Sequence, residues 1–292
     1  MTIKFIRMAL SAFLLMCFTT VASAGGVKGI YLTQYTAEND KLLNHMIENA
    51  KKSGIDTFVI DMERPSKALR DNLGLVKQSG IKYVARVVVF PNGGSKAAVE
   101  NPDVWQKRYA LVKQAIDWGA DEIQLDYIRY DTKQKPSPEN AKRIHEIIKW
   151  FKTKVAAQNI PLQIDVFGET SFGESPYIGQ NIKLFSDTVD AICPMVYPSH
   201  YTPFAKHYNN PYDTIDTSLD SLKAQFANRV PPMKIYAYIE LSNYHYRMSR
   251  AQKIDYIKDQ IDAVNDAEID GWYAWSPHNQ YDNLFAILQK KS

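Results

Sequence analysis

From Gly29 onward the chain repeats one pattern eight times: a short run rich in β-branched and aromatic residues, then a longer stretch with helical spacing. The candidate strands are Gly29–Thr33, Thr57–Glu63, Tyr83–Phe90, Glu122–Tyr130, Pro161–Gly168, Ala191–Pro198, Lys234–Leu241 and Gly271–Pro277. Strands that alternate with helices must pair in parallel, because a parallel crossover needs a dozen or more residues. Eight such units are the number that closes a barrel. The pattern therefore predicts an α/β chain folded as a single-domain (β/α)8 TIM barrel. A doubly wound open sheet should show a glycine-rich phosphate turn after an early strand. Asn92-Gly93-Gly94 follows the third run but opens no G-x-G-x-x-G helix, so it reads as an ordinary loop.

The helices carry start and stop signals. Asn101-Pro102-Asp103 supplies an N-cap, a first-turn proline and an early acid, and Gly119 closes that predicted helix. Ser137-Pro138-Glu139 opens another, with Ile144, Ile147, Ile148, Phe151 and Val155 on one face. Ser249 and Gln252 have the spacing of a capping box ahead of Ile254, Ile257, Ile261 and Val264.

The first residues read as an address rather than as fold. Lys4 and Arg7 precede an apolar run from Met8 to Val21, and Ala22-Ser23-Ala24 supplies a small-x-small cleavage pattern. The expectation is a removable signal peptide over residues 1–24, a barrel over residues 25–292, and a periplasmic or secreted product without a membrane anchor. The apolar run is too short for a comfortable membrane span. Cleavage removes two basic residues and no acids, taking the formal charge from +3 to +1. Such a balance gives no electrostatic reason to expect nucleic acid as a partner. It also leaves Cys193 as the one cysteine, so the fold must rest on its apolar core rather than on a disulfide.

Chemistry in barrels of this kind sits where strands run out into the loops that lead to helices. Side chains alternate between the barrel axis and the helices, so parity can be read along each strand. Asp61 and Glu63 end the second strand, and Arg86 on the third is in phase with Val88 and Phe90. Gln124 and Asp126 share a face of the fourth strand, and Gln163 and Asp165 a face of the fifth. The seventh offers Tyr236, Tyr238 and Glu240 in phase. If the apolar partners face the helices, Asp126, Asp165 and Glu240 all point into the mouth. Cleaving a glycosidic bond needs such a set: one carboxylic acid to protonate the leaving oxygen, and a second carboxylate as nucleophile or base. Burial and crowding of like charges keep one carboxyl protonated, while an arginine, Arg86 or Arg129 here, keeps another ionised. Tyr31, Tyr35, Tyr130, Tyr197, Tyr201, Tyr244, Tyr246, Trp272 and Trp275 lie near strand ends and offer flat faces for sugar rings.

Each of these residues also has a plainer reading. A strand-end carboxylate can be a helix cap or half of a structural ion pair, Arg129 can pair with Asp131, and loop tyrosines are common. Cys193 reads as a small buried hydrophobe. Pro194 inside a strand removes a ladder bond, which predicts a bulge or distortion there. His200, His207, His245 and His278 lie in predicted loops, but no H-x-H or H-x-x-E-H spacing groups them, so no metal and no cofactor is expected. His200 reads as a substrate hydrogen-bonder or a loop residue.

The stretch Asp121-Glu122-Ile123-Gln124-Leu125-Asp126-Tyr127-Ile128-Arg129-Tyr130 resembles the DEIQFDYIRF signature of a bacterial family grouped with the TIM-barrel glycosidases. Further segments match in order: Ala85-Arg86-Val87-Val88-Val89-Phe90, Asp165-Val166-Phe167-Gly168, the run from Cys193 to Tyr201, and the run from Asp270 to Pro277. The resemblance runs from about Gly29 to Tyr281, nearly the whole mature chain. It implies a sugar-processing barrel analogous to the α-amylase-like enzymes, in which carboxylates follow the fourth, fifth and seventh strands. Carried over by strand position, Asp126 is the nucleophile, Asp165 or Glu169 the acid/base, and Glu240 the third carboxylate or the acid itself. Two features depart from that family. Glu240 stands where relatives tend to carry aspartate, and Asp61-Met62-Glu63-Arg64-Pro65 lacks a lysine-aspartate-aspartate run. The resulting expectation is an exported glycoside hydrolase acting on an oligo- or polysaccharide, the alternatives being a non-catalytic carbohydrate-binding barrel and a metal-dependent hydrolase or deacetylase. Its oligomeric state is not legible.

Overall fold

The computed structural model describes residues 26–290 apart from residue 228. The expected signal peptide lies outside the described residues. Eight parallel strands close into a barrel in chain order: β1 (Val27–Leu32), β2 (Thr57–Asp61), β3 (Lys82–Val88), β4 (Glu122–Asp126), β5 (Leu162–Phe167), β6 (Ala191–Met195), β7 (Lys234–Glu240) and β8 (Gly271–Trp275). Every strand expected from the sequence is present, and the sequence reading overran each at its C-terminal end. There the chain peels away from the ladder into the loops, although several residues there, among them Val89, Phe90, Ile128, Val196 and Leu241, remain apolar. The overrun is largest on β4, where Tyr127 takes a left-handed backbone, with φ of 51°, and breaks the strand directly after Asp126.

The helices follow the capping signals with two revisions. The Pro138–Ala156 helix starts where Ser137 Oγ accepts the Glu139 N–H at 3.2 Å and buries the expected isoleucine face. The Arg250–Asp266 helix carries the full capping box of Ser249 and Gln252. The helix expected to run from Pro102 to Gly119 is instead two, Pro102–Gln106 and Tyr109–Asp117. After β5 the crossover holds only a short 3-10 turn, Gly168–Phe172, and a single helical turn, Ile182–Phe185.

Alternation along the strands splits the core into two layers. Ile30, Leu32, Phe58, Ile60, Ile123, Leu125, Ile164, Val166, Ala237, Ile239, Trp272 and Ala274 point outward and pack against the helices. Full burial of each large side chain in that layer is worth roughly 1.5–3 kcal/mol, and this layer is what holds the barrel closed. The inner layer contains Tyr31, Val59, Val84, Cys193, Tyr236, Tyr238 and Tyr273. It is also polar. Gln163 Nε2 donates to Glu122 Oε2 at 2.6 Å, Gln124 Nε2 to Gln163 Oε1 at 3.0 Å, and Tyr238 Oη to Gln124 Oε1 at 2.9 Å. Every link in this ladder is a hydrogen bond between buried groups, the condition under which polar side chains can be buried at small net cost. Cys193 is buried and free, with its sulfur 3.4 Å from both Gln124 Nε2 and Gln163 Oε1, so it belongs to that network and is not simply a small hydrophobe. Pro194 keeps its place in β6, opposite Val166 of β5. The β6–β7 pairing skips Cys193 and Pro194, so the missing N–H falls on that side.

Gly29 of β1 makes the inner layer possible. A Cβ there would lie 2.5 and 2.9 Å from ring carbons of Tyr273 and 3.1 Å from the Thr57 carbonyl oxygen. Gly29→Ala should therefore lower the unfolding free energy by about 1–3 kcal/mol through overpacking, read as a lower urea midpoint at unchanged slope. An unchanged midpoint would mean that Tyr273 is not held against β1.

Candidate active site

Parallel register brings a set of charged side chains to one level at the C-terminal mouth. Asp61 of β2 stands opposite Arg86 of β3, and Val88 of β3 opposite Asp126 of β4. The β4–β5 pairing ends at Leu125 and Ile164, which sets the next residues, Asp126 and Asp165, side by side. Arg86 lies between these acids. Its Nη1 bonds Asp61, its Nη2 bonds Asp126, its Nε donates to Asp126 Oδ2 at 3.0 Å, and Asp165 Oδ2 lies 3.9 Å from the same Nε. Tyr31 donates its hydroxyl to Asp61, and its ring lies 5.4 Å from the guanidinium carbon. Asp126 is fixed on its other oxygen by the Tyr127 N–H at 2.5 Å. That bond is made by the residue whose left-handed backbone costs roughly 1–3 kcal/mol, a kind of strain that collects at functional sites.

The three aspartates are 2–5% exposed, so their charges are poorly solvated. Asp61 and Asp126 share the Arg86 charge through direct bonds. Asp165 does not, and its Oδ1 is buried with no hydrogen-bond partner. Burial, and after it the negative charge of Asp126, pushes the Asp165 carboxyl well above the usual carboxylate range, with Arg86 pulling the other way. Three acids around one cation thus divide into two that are bonded to it and one that is driven toward its neutral form.

Around this cluster stand aromatic rings. Tyr197, just beyond β6, stacks on Trp275 of β8 with centroids 5.5 Å apart and planes 23° apart, and Tyr244 lies 5.9 Å from the same Trp275. His200 stacks on Tyr244 at 5.6 Å. Across the mouth, Arg129 lies over the rings of Tyr127 and Phe167 at 5.1 and 4.6 Å and donates to the Tyr130 carbonyl at 2.8 Å, with no bond to Asp131. Tyr201 packs over Gly168 and accepts a hydrogen bond from Ser218 Oγ at 3.2 Å. Tyr130 is a core residue, whereas Tyr35 is 71% exposed.

The structure gathers Tyr31, Asp61, Arg86, Asp126 and Asp165 into one cluster, and sets Tyr197, His200 and Trp275 in the wall beside it. Four expectations are revised. Glu63 is exposed, and its backbone N–H rather than its carboxylate is held, by Gln34 Oε1 at 2.9 Å. Glu169 is also exposed and accepts a hydrogen bond from Ser175 Oγ at 2.9 Å. Trp272 is buried in the outer layer against the helices. It lies three residues from Trp275, and strict alternation along β8 cannot put both rings in the mouth. Glu240 is fully buried and lies outside the Arg86 cluster. Its oxygens accept the Ser199 N–H at 2.9 Å, the Ser199 hydroxyl at 2.5 Å and the Tyr256 hydroxyl at 2.5 Å. Burial pushes its carboxyl up to about 7 against the opposing pull of those bonds. The third carboxylate of the cluster is therefore Asp61, which the sequence placed only at the end of the second strand. Ser199 and Tyr256 were missed altogether, since neither their type nor their spacing signals a partner on another element.

Among the described residues, no group of three or more His, Cys, Asp or Glu side chains is placed to hold a metal ion. No helix among them is long and apolar enough to cross a membrane. A cavity of about 650 Å³ opens at the opposite end of the barrel, bounded by Glu122, Asp190, Lys223, Lys234 and Asp270. Apart from Lys223, at the end of a helix, those lie at strand starts, the end of such barrels that serves stability rather than chemistry.

Comparison with solved structures returns the same architecture. The spore cortex-lytic enzyme SleL of Bacillus megaterium is similar with a TM-score of 0.63 and 12% identity, covering 91% of this chain and 73% of that one. A class V chitinase of Pseudomonas fluorescens gives 0.65 and 14%, covering 91% and 99%. The endo-β-1,4-mannanase of Thermotoga petrophila gives 0.63 and 12%, covering 92% and 76%. At such identities the likeness is one of fold. A comparison with curated proteins matches none. A family model described as "Putative glycosyl hydrolase domain" matches residues 92–281, a span that holds Asp126, Asp165 and every strand from β4 to β8. The chain belongs to that glycosyl hydrolase family.

Proposed function

We propose that the protein hydrolyses glycosidic bonds in a polysaccharide or cell-envelope glycan, with Asp126 as nucleophile and Asp165 as general acid. The observation that carries this reading is the division of charge around Arg86. Hydrolysis of a glycoside needs one carboxylate and one carboxylic acid within reach of the same bond. Asp126, bonded to Arg86 and to the Tyr127 N–H, is the anionic member. Asp165 beside it, with a free Oδ1 and its proton held by burial, is the acid. Asp61 and Tyr31 hold the far side of the guanidinium and act through it. Glu169 and Glu63 have no part in this arrangement. The family membership and the carbohydrate-active enzymes that share the fold support a sugar substrate. The pattern of residues 1–24 supports export.

Asp126→Asn should abolish release of new reducing ends from a panel of bacterial and plant polysaccharides that wild-type protein cleaves, a loss of about a thousandfold or more. Full activity in the variant would sink the nucleophile assignment, and activity in neither protein would favour a carbohydrate-binding barrel.

The nearer oxygens of Asp126 and Asp165 lie 3.0 and 3.9 Å from one nitrogen, Arg86 Nε. They are thus at most about 7 Å apart, and that bound is reached only if the three atoms are collinear. Such spacing excludes most of the roughly 6.5–9.5 Å range of inverting enzymes and suits the roughly 5–5.5 Å of retaining ones. The first-formed product should keep the anomeric configuration of the substrate, as followed by proton NMR, and inversion would rule out attack by Asp126.

A general acid works only while protonated, so kcat/KM should fall as pH rises through the raised pKa of Asp165. Arg86 lowers that pKa, so Arg86→Gln should move the alkaline limb to higher pH as well as reduce activity. Stability has the same sign. A carboxyl whose folded pKa is raised contributes fully below its unfolded pKa, near 4, and loses that contribution as pH rises through the folded value. Asp165→Asn should therefore be inactive yet melt on the order of 2–4 °C higher than wild type at neutral pH, with the gap closing toward pH 4. A variant that melts lower at neutral pH would show that Asp165 is a structural carboxylate.

A further inference from the structure

The loops after β6 and β7 meet along a seam of paired rings. His200 stacks on Tyr244 at 5.6 Å, Phe204 on His245 at 3.8 Å, and Tyr208 lies 4.6 Å from Tyr246. Toward the barrel centre the seam continues through Trp275 to Tyr197, whose hydroxyl is within electrostatic reach of Asp165 and Asp126. Toward solvent it ends in bare faces, with Tyr244 55% exposed, Phe204 37% and Tyr246 36%. Every exposed tyrosine and phenylalanine among the described residues lies in a segment that leaves the C-terminal end of a strand, and these three lie in the adjoining segments after β6 and β7. Left in water, such faces stabilise nothing, and a cluster of them beside a catalytic mouth is the surface that the apolar face of a pyranose ring covers.

One buried carboxylate fastens the seam. Glu240 accepts both the N–H and the hydroxyl of Ser199, which lies between Tyr197 and His200. It also accepts the hydroxyl of Tyr256, which in turn receives a bond from Asn243 Nδ2 at 3.0 Å. His245 closes the loop through its Nε2, 3.0 Å from the Ser199 carbonyl oxygen. The β6 loop, the β7 loop and the Arg250–Asp266 helix are thus tied at one point directly beneath the rings.

We infer that this seam is a platform for sugar units of the glycan chain beyond the bond being cleaved, and that Glu240 is the positioning residue that holds it rather than a participant in cleavage. The inference rests on the hydrolase reading for its substrate, but its binding arm does not need turnover. In the Asp126→Asn background, migration is measured through native gels containing glycol chitin, galactomannan or laminarin. At least one polymer should retard the protein, and Tyr244→Ala, Phe204→Ala and Glu240→Gln should each weaken that retardation about fivefold or more. Tyr244 and Phe204 are exposed, so their removal leaves the fold intact, and thermal melts verify this for Glu240→Gln. In the otherwise wild-type enzyme, Glu240→Gln should act through KM, raising it about fivefold or more, with kcat within about threefold. Retardation by none of the polymers, or retardation unaffected by the Tyr244 and Phe204 substitutions, overturns the platform. A roughly thousandfold loss of kcat in Glu240→Gln with retardation intact makes Glu240 a catalytic acid and overturns the positioning role. Retardation that the variants weaken, with no hydrolysis of any polymer, refutes the hydrolase reading and leaves the platform standing.

Discussion

Arg86 sits among Asp61, Asp126 and Asp165 in a mouth where each carboxylate is almost entirely cut off from water. Three unpaired acids at such burial could not all remain charged, because the desolvation cost per ion is several kcal/mol. One guanidinium makes the arrangement tenable by bonding two of them. The third is left to respond by holding its proton. Removing one partner of such a buried pair typically costs roughly 3–5 kcal/mol. The cluster therefore constrains both the closure of β2 through β5 and the chemistry at their ends.

The barrel interior carries that arrangement downward. A filling of Val, Ile and Leu would leave the mouth acids on an apolar floor. Here Gln124, Gln163, Glu122 and Tyr238 form a hydrogen-bonded ladder beneath them. Each link is satisfied, so the ladder fixes the register of β4, β5 and β7 as well as filling space. It also sets the height at which Asp126 and Asp165 emerge. A one-residue slip of either strand would turn its acid toward the helices. Stability thus lies in the outer layer and the strand starts, while the strain at Tyr127 and the orphaned oxygen of Asp165 lie at the opposite end.

The carboxylates divide into two kinds of site. Asp126 and Asp165 lie against Arg86 in the mouth, and one oxygen of Asp165 is buried with no hydrogen-bond partner. Glu240 is fully satisfied by Ser199 and Tyr256, and what it controls is the shape of the wall. Strand position alone cannot tell the two apart. Both kinds are strand-end acids in phase with inward residues, and the distinction lies in partners supplied by other elements.

The sequence by itself determined the architecture. Eight alternations of strand and helix signals admit few other closures, and period-two parity turned Asp126, Asp165 and Arg86 inward, because side-chain direction in a strand is a local property of the backbone. What only the tertiary structure decided was who meets whom. Which acids share Arg86, which one is left without a partner, and which one turns to Ser199 depend on the register between strands far apart in sequence. So does the use of Asp61, and so does the pairing of rings across the β6 and β7 loops. Strand ends were misjudged for the same reason: the left-handed turn at Tyr127 is imposed by the site and not by the residue's own preference. Local chemistry decides which way a side chain faces, and non-local register decides what it finds there.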